Sequence, residues 1–232
     1  MKMYFAGISG GKKRLGYLNE FGATRLMLTY AEAKWYNAQM PRFKENNFDI
    51  LCDSGAFSLH NRGIDIDIFD YCDYLKKHNL SKYIVLDKIG DHPETMLNQK
   101  IMEDYGMTPI PVFHMGSPLK DLYSIVDMGY DYICLGGTVG AHRNKRIDFF
   151  NSVFDSFPDH KFHGLGLSDF NIIMMFPFYS VDSTTWLIAQ KVGKIFDNNG
   201  DRISPPKGMV PKEKFRNTIS FFLNAEKLTE TH

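Results

Sequence analysis

Long hydrophobic runs are missing from this sequence: no stretch approaches the roughly 18 consecutive apolar residues that a membrane span needs. The opening residues Met1-Lys2-Met3-Tyr4-Phe5 lead into no signal-peptide-like apolar stretch, so a cytoplasmic protein is expected. Cysteine is scarce, with only Cys52, Cys72 and Cys134, far apart and without Cys-x-x-Cys spacing. That speaks against a disulfide framework and a zinc site, and the three read as buried thiols. Excess charge is missing too: 27 Lys/Arg stand against 27 Asp/Glu, which excludes a uniformly basic nucleic-acid binder.

What is present is a core. The 232 residues include 19 Phe and 12 Tyr, enough for one well-packed domain and too aromatic for disorder. Short β-branched or aromatic runs alternate with longer stretches of helical spacing. Strands are expected over residues 3–7, 25–29, 48–52, 83–86, 109–113, 132–135, 161–164 and 179–181. Residues 65–78, for example, carry Ile68, Phe69, Cys72 and Leu75 at helical intervals. Strand and helix in strict alternation imply parallel strands with right-handed crossovers. Eight such units point to a single α/β domain over residues 1–232, a compact (β/α)8 TIM barrel. Asn199-Gly200 then signals a hairpin, and residues 212–227 a closing helix. The segment from Lys191 to Arg216 holds seven Lys/Arg against three acids, so residues 191–232 read as a basic extension packed on the barrel.

In such barrels the active site lies at the C-terminal strand ends. There the sequence places Asp53, Asp87, His114, Gly136-Gly137, Gly164/Gly166 and Asp182. Any one of these is satisfied by a helix-capping role. Three carboxylates and a histidine on one rim point instead to a site.

Four of these segments carry a family resemblance. Asp53-Ser54-Gly55-Ala56-Phe57, Leu135-Gly136-Gly137-Thr138-Val139-Gly140, His163-Gly164-Leu165-Gly166 and Tyr179-Ser180-Val181-Asp182-Ser183 resemble, in order, motifs of the tRNA-guanine transglycosylases. Ala56 stands where the family has Gly, His114 stands near its Gln, and its zinc subdomain has no counterpart. A chain without that element is similar to the DpdA-type enzymes of bacterial islands and phages, which place a 7-deazaguanine such as preQ0 or a derivative into DNA.

The resemblance implies a base-exchanging pentosyltransferase without cofactor. It makes Asp182 the nucleophile that captures C1′ and Asp53 the proton handler. It makes Asp87 the reader of the base, with His114, Gly136, Gly137 and Ser54 around it. Chemistry on a base in duplex DNA requires flipping, for which Tyr30, Phe57, His60 and Trp186 are stacking candidates. Lys12, Lys13, Arg14, Arg143, Lys145 and Arg146 are candidate phosphate contacts. Alternatives are the same chemistry on tRNA with a partner subunit or as a homodimer, and a silent nucleic-acid-binding barrel. A further alternative is a small-molecule barrel enzyme using Gly136-Gly137 and Gly164-Gly166 as a phosphate cup.

Overall fold

A computed structural model describes residues 1–56 and 65–229, apart from the side chain of Lys12. Seven parallel strands form one curled sheet: β1 (Lys2–Phe5), β2 (Arg25–Thr29), β3 (Asp49–Asp53), β4 (Val112–His114), β5 (Tyr132–Gly136), β6 (Lys161–Gly164) and β7 (Ser180–Ser183). Their order is β3-β2-β1-β7-β6-β5-β4. The eighth strand expected over residues 83–86 is not formed. In its place Tyr83 and Ile84 make two isolated parallel bridges, to Cys52 and to Ile110. The Ile84 amide donates to the Cys52 carbonyl, and the Val85 amide to that of Ile110. The segment therefore sits between the two sheet edges. Only two of its residues pair before the chain turns away at Asp87, too few for a ladder.

Helices flank the strands: α1 (Lys12–Glu20), α2 (Ala33–Asn37), α3 (Met40–Glu45), α4 (Ile68–His78), α5 (His92–Asp104), α6 (Leu119–Asp127), α7 (Arg143–Ser156), α8 (Phe170–Met175) and α9 (Ile188–Val192). Their ends follow local chemistry. Asp67 accepts from the Phe69 and Asp70 amides at the start of α4, and Asn79 closes that helix in the left-handed region. Asp91 caps α5, with Pro93 in its first turn. Asp169 caps α8, its side chain accepting from the Ile172 amide. The stretch after β2 forms two short helices, α2 and α3, broken between Asn37 and Met40, with Pro41 in the first turn of α3.

After the barrel, β8 (Ile195–Phe196) and β9 (Arg202–Ile203) form the antiparallel hairpin signalled by Asn199-Gly200, with Gly200 at φ +85°. The last helix, α10 (Pro211–Thr229), lays Phe215 against Trp186 and Phe222 against Phe196. Its Glu226 pairs with Arg25 of β2. No helix among the described residues is long and apolar enough to cross a membrane.

Strand alternation sorts the side chains into two sets. Val181 and Phe162 face outward into the helix layer, where Phe162 meets Phe154. Ser180, Asp182, His163, Tyr132 and Tyr4 face the barrel interior, where they touch one another. An interior of this kind usually holds branched aliphatics, so its polarity here is unusual.

Candidate active site

The C-terminal strand ends enclose a cavity of about 550 Å³. Asp53 of β3, Asp87, His114 of β4, Asp182 of β7 and Glu32 line it, and no Lys or Arg does among the described residues.

Each acid is held by its own turn. After β3 the chain bends sharply, and the Gly55 amide donates back to Asp53 Oδ2 at 3.0 Å. Gly55 has φ +78°, and a Cβ there would fall 2.3 Å from Thr29 Oγ1 and 2.5 Å from Ala31 Cβ. Only glycine fits both the conformation and the space. The Asp53 carboxyl is pushed up to about 8. Burial is the largest cause, followed by the charges of Asp87 and Asp182, and the Gly55 and Ser54 amides pull the other way.

Asp87 is held by His114, whose Nε2 lies 2.9 Å from Asp87 Oδ2. The His114 ring packs on Gly136, where a Cβ would come within 2.9 Å of His114 Cδ2. The glycine at the end of β5 thus makes room for the histidine that orients Asp87. His114 Nδ1 is buried without a hydrogen-bond partner among the described residues. Asp182 accepts from the Gly166 amide at 2.7 Å and meets His163 Nε2 at 3.3 Å, both at Oδ1. Gly166 adopts φ +61° to present that amide.

The expected rim residues therefore converge in part. Asp53, Asp87, Asp182, His114, Gly136 and Gly137 line one cavity. Ser54 does not: it is fully buried, and its hydroxyl accepts from the Ala56 amide within the turn. All three expected phosphate-binding arginines are engaged elsewhere. Arg14 donates to the Gly7 and Ser9 carbonyls and to Gln190, bracing the loop after β1. Arg146 and Arg143 pair with Asp169, at 3.1 and 3.5 Å. Lys13 and Lys145 are exposed, and the Lys12 side chain lies outside the described residues. Trp186 is no stacking platform, being wholly buried with its indole N–H on the Ala6 carbonyl. Tyr30 packs against Tyr71 and Tyr74. Phe57 and His60 lie outside the described residues.

Two participants were missed from the sequence. Glu32 sits in a single helical turn after β2, where it reads as an ordinary surface acid. His163 reads as part of a glycine turn, and only the register that sets His163 beside Ser180 brings it under Asp182. The i, i+2 spacing of Ser180 and Asp182 was the available signal for a shared face. Among the described residues no group of three or more His, Cys, Asp or Glu is arranged to hold a metal ion.

No protein-family model matches this chain. No curated protein matches it either. Solved structures do. The tryptophan synthase alpha chain of Legionella pneumophila is similar at TM-score 0.59 and 8% identity, over 97% of this chain and 90% of that one. A mutant tryptophan synthase alpha-subunit of Pyrococcus furiosus is similar at TM-score 0.57 and 13% identity, over 96% of each chain. A phosphoribosyl anthranilate isomerase, solved with reduced 1-(o-carboxyphenylamino)-1-deoxyribulose 5-phosphate, is similar at TM-score 0.54 and 12% identity, over 98% of each chain. At these identities the likeness establishes a TIM-type barrel fold.

The transglycosylase resemblance does not survive this comparison. These barrel neighbours are of another kind, and with the family reading go its 7-deazaguanine, DNA-modification, queuosine and phage associations. The physical reason lies in the motifs themselves. Asp-x-Gly after β3 is a side-chain-to-backbone turn, Gly136 accommodates a neighbouring ring, and Gly166 caps a carboxylate. Barrel strand ends need such turns whatever the chemistry above them.

Proposed function

We propose that this chain is a small-molecule enzyme of the TIM-barrel kind that moves protons with its rim carboxylates. The observation that carries the reading is Asp53, held up to about 8 beside Asp87 and Asp182 in a cavity of about 550 Å³. A carboxyl poised near neutrality both delivers and withdraws a proton at physiological pH, the condition for efficient acid/base work. The cavity volume lies in the ordinary range for small-molecule sites. The barrel neighbours, named as a synthase subunit and an isomerase of small metabolites, support the same general kind.

The charge of the lining narrows the substrate. Four carboxyl groups face the cavity, and His114 already pairs with one of them. The Gly166 amide, an obvious member of a phosphate cup, donates to Asp182 instead. The Thr185 amide donates to the Ser183 hydroxyl. Among the described residues a phosphorylated substrate would meet carboxylates with no lysine or arginine to offset them, whereas a neutral polyol, amide or amine-bearing molecule would offer donors to acceptor oxygens. The reaction class that fits is an acid/base-catalysed isomerisation or elimination of such a compound. Asp53 and Asp182 exchange protons with the substrate while Asp87 positions it.

The test is a thermal-shift and turnover screen of metabolites sorted by charge. Neutral and cationic compounds are expected to bind, with turnover lost in Asp53→Asn. Binding confined to phosphorylated compounds, or full turnover in that variant, would overturn the reading.

A further inference from the structure

The barrel interior holds a second feature that the rim chemistry does not absorb. At the N-terminal strand ends lies another cavity, of about 610 Å³, which shares no lining residue with the first. Tyr132 lines it. From that phenol an unbroken row of hydrogen bonds leads up the barrel. Tyr132 Oη lies 2.6 Å from Ser180 Oγ, Ser180 Oγ lies 2.6 Å from His163 Nδ1, and His163 Nε2 lies 3.3 Å from Asp182 Oδ1. Asp182 lines the upper cavity. Ser180 and His163 are fully buried between the two.

Satisfying buried polar groups explains pairs, but it does not explain why the row exists. Aliphatic side chains at residues 163 and 180 would remove the need for partners altogether. Every internal member is also a group that can give and take a proton at once, two hydroxyls and an imidazole. We infer that the Tyr132–Ser180–His163 row is a proton path through the barrel, connecting Asp182 with solvent at the N-terminal mouth. Asp182 can then exchange its proton while a ligand covers the C-terminal cavity. The inference rests on Asp182 belonging to the site described above, and it adds Tyr132, Ser180 and His163 as positioning residues that act through it.

The transfer balances without any co-reactant. A proton from water joins Tyr132 Oη as that oxygen releases its own hydrogen to Ser180 Oγ. Ser180 passes its hydrogen to His163 Nδ1, and the Nε2 hydrogen moves to Asp182 Oδ1. One proton has left solvent, the carboxylate is neutral, and the imidazole has changed tautomer. The reverse sequence restores the start. The 3.3 Å step is the longest link and the expected slow one. Other titratable groups facing the row are Tyr4, in edge contact with His163, Tyr179, in edge contact with Tyr132, and Cys134 on β5. Lys161 stands beside Tyr132 in register. Burial pushes the Tyr132 phenol above its ordinary value, so it works as a neutral hydroxyl.

The experiment is tautomer-resolved nitrogen NMR of His163 in the full chain, reading exchange of its ring N–H with solvent, which needs no substrate. Tyr132→Phe keeps the ring and removes the oxygen, and Ser180→Ala removes the two 2.6 Å links, leaving only the 3.4 Å approach of Tyr132 Oη to His163 Nδ1. Each is expected to slow His163 ring exchange by roughly tenfold or more with global protection elsewhere unchanged, and Ser180→Thr is expected to restore it. Exchange that continues at the parental rate in both variants, or that is lost only in Asp182→Asn, would overturn the path, the latter by placing solvent access at the upper cavity. Either result leaves the Asp53 reading intact, because that reading stands or falls on turnover.

Discussion

The two ends of this barrel treat the same kinds of charge in opposite ways. At the N-terminal end Asp49, Asp131 and Glu226 each have a cation. Lys82 meets Asp49 at 2.7 Å, Lys161 meets Asp131 at 3.0 Å, and Arg25 stands between Asp49 and Glu226. At the C-terminal end Asp53, Asp87, Asp182 and Glu32 share a cavity without lysine or arginine among the described residues. At the compensated end Lys161 lowers the Asp131 carboxyl. The uncompensated end holds Asp53 up to about 8. A fold tolerates such an arrangement where it serves chemistry, because like charges close together cost stability.

That contrast can be broken at several points. The largest effect is expected on turnover of whichever compound the charge-sorted screen returns: Asp53→Asn should lower kcat by about 10²- to 10⁴-fold. The next is on pH-dependent stability. Between the ordinary carboxylate value and about 8, the folded chain keeps a proton on Asp53 that the unfolded chain has released. The unfolded state binds fewer protons there, so stability falls as pH rises, by up to about 1.4 kcal/mol per pH unit. The contribution is complete below that window and gone above it. Urea titrations from pH 4 to 9 should show a flatter profile in Asp53→Asn, and parallel profiles would place the Asp53 shift in doubt.

A smaller loss is expected from Gly136→Ala. The added carbon would sit 2.9 Å from His114 Cδ2 and 3.1 Å from Val112 Cγ1. Overpacking of that kind costs about 1–3 kcal/mol, and the His114 ring resonances should move with the melting temperature. Least of all should follow from Lys82→Met at the other end. Its pair with Asp49 is partly exposed, so a change below about 1 kcal/mol is expected. A larger loss on calorimetry would show that the N-terminal charges form a cooperative network.

Much of the scaffold was legible. β2 and β6 lie on the residues expected of them, and the remaining five strands of the sheet are displaced by a few residues at most. The hairpin at Asn199-Gly200 and the rim position of Asp53, Asp87, His114 and Asp182 were legible as well. Alternating hydrophobic periods and glycine or aspartate at strand ends are local signals. The eighth strand was not legible, because Tyr83 to Leu86 has strand composition but pairs through two residues only. The family reading failed for a related reason. Four short motifs in order describe what barrel strand ends require, and each proves to be a turn, a clearance or a cap.

By itself, then, the sequence determined the alternation of strand and helix, hence a parallel barrel, and put acids at the ends of its strands. Those properties follow from spacing along the chain. Tertiary structure decided which charges are answered and which are not. Arg14, Arg143 and Arg146 turn to carbonyls, Gln190 and Asp169, while Asp53 is left among acids. It also decided that His163, Ser180 and Tyr132 meet in one row. Register between parallel strands brings together residues 17 to 48 positions apart, and nothing within any one strand fixes which residue its neighbour will present.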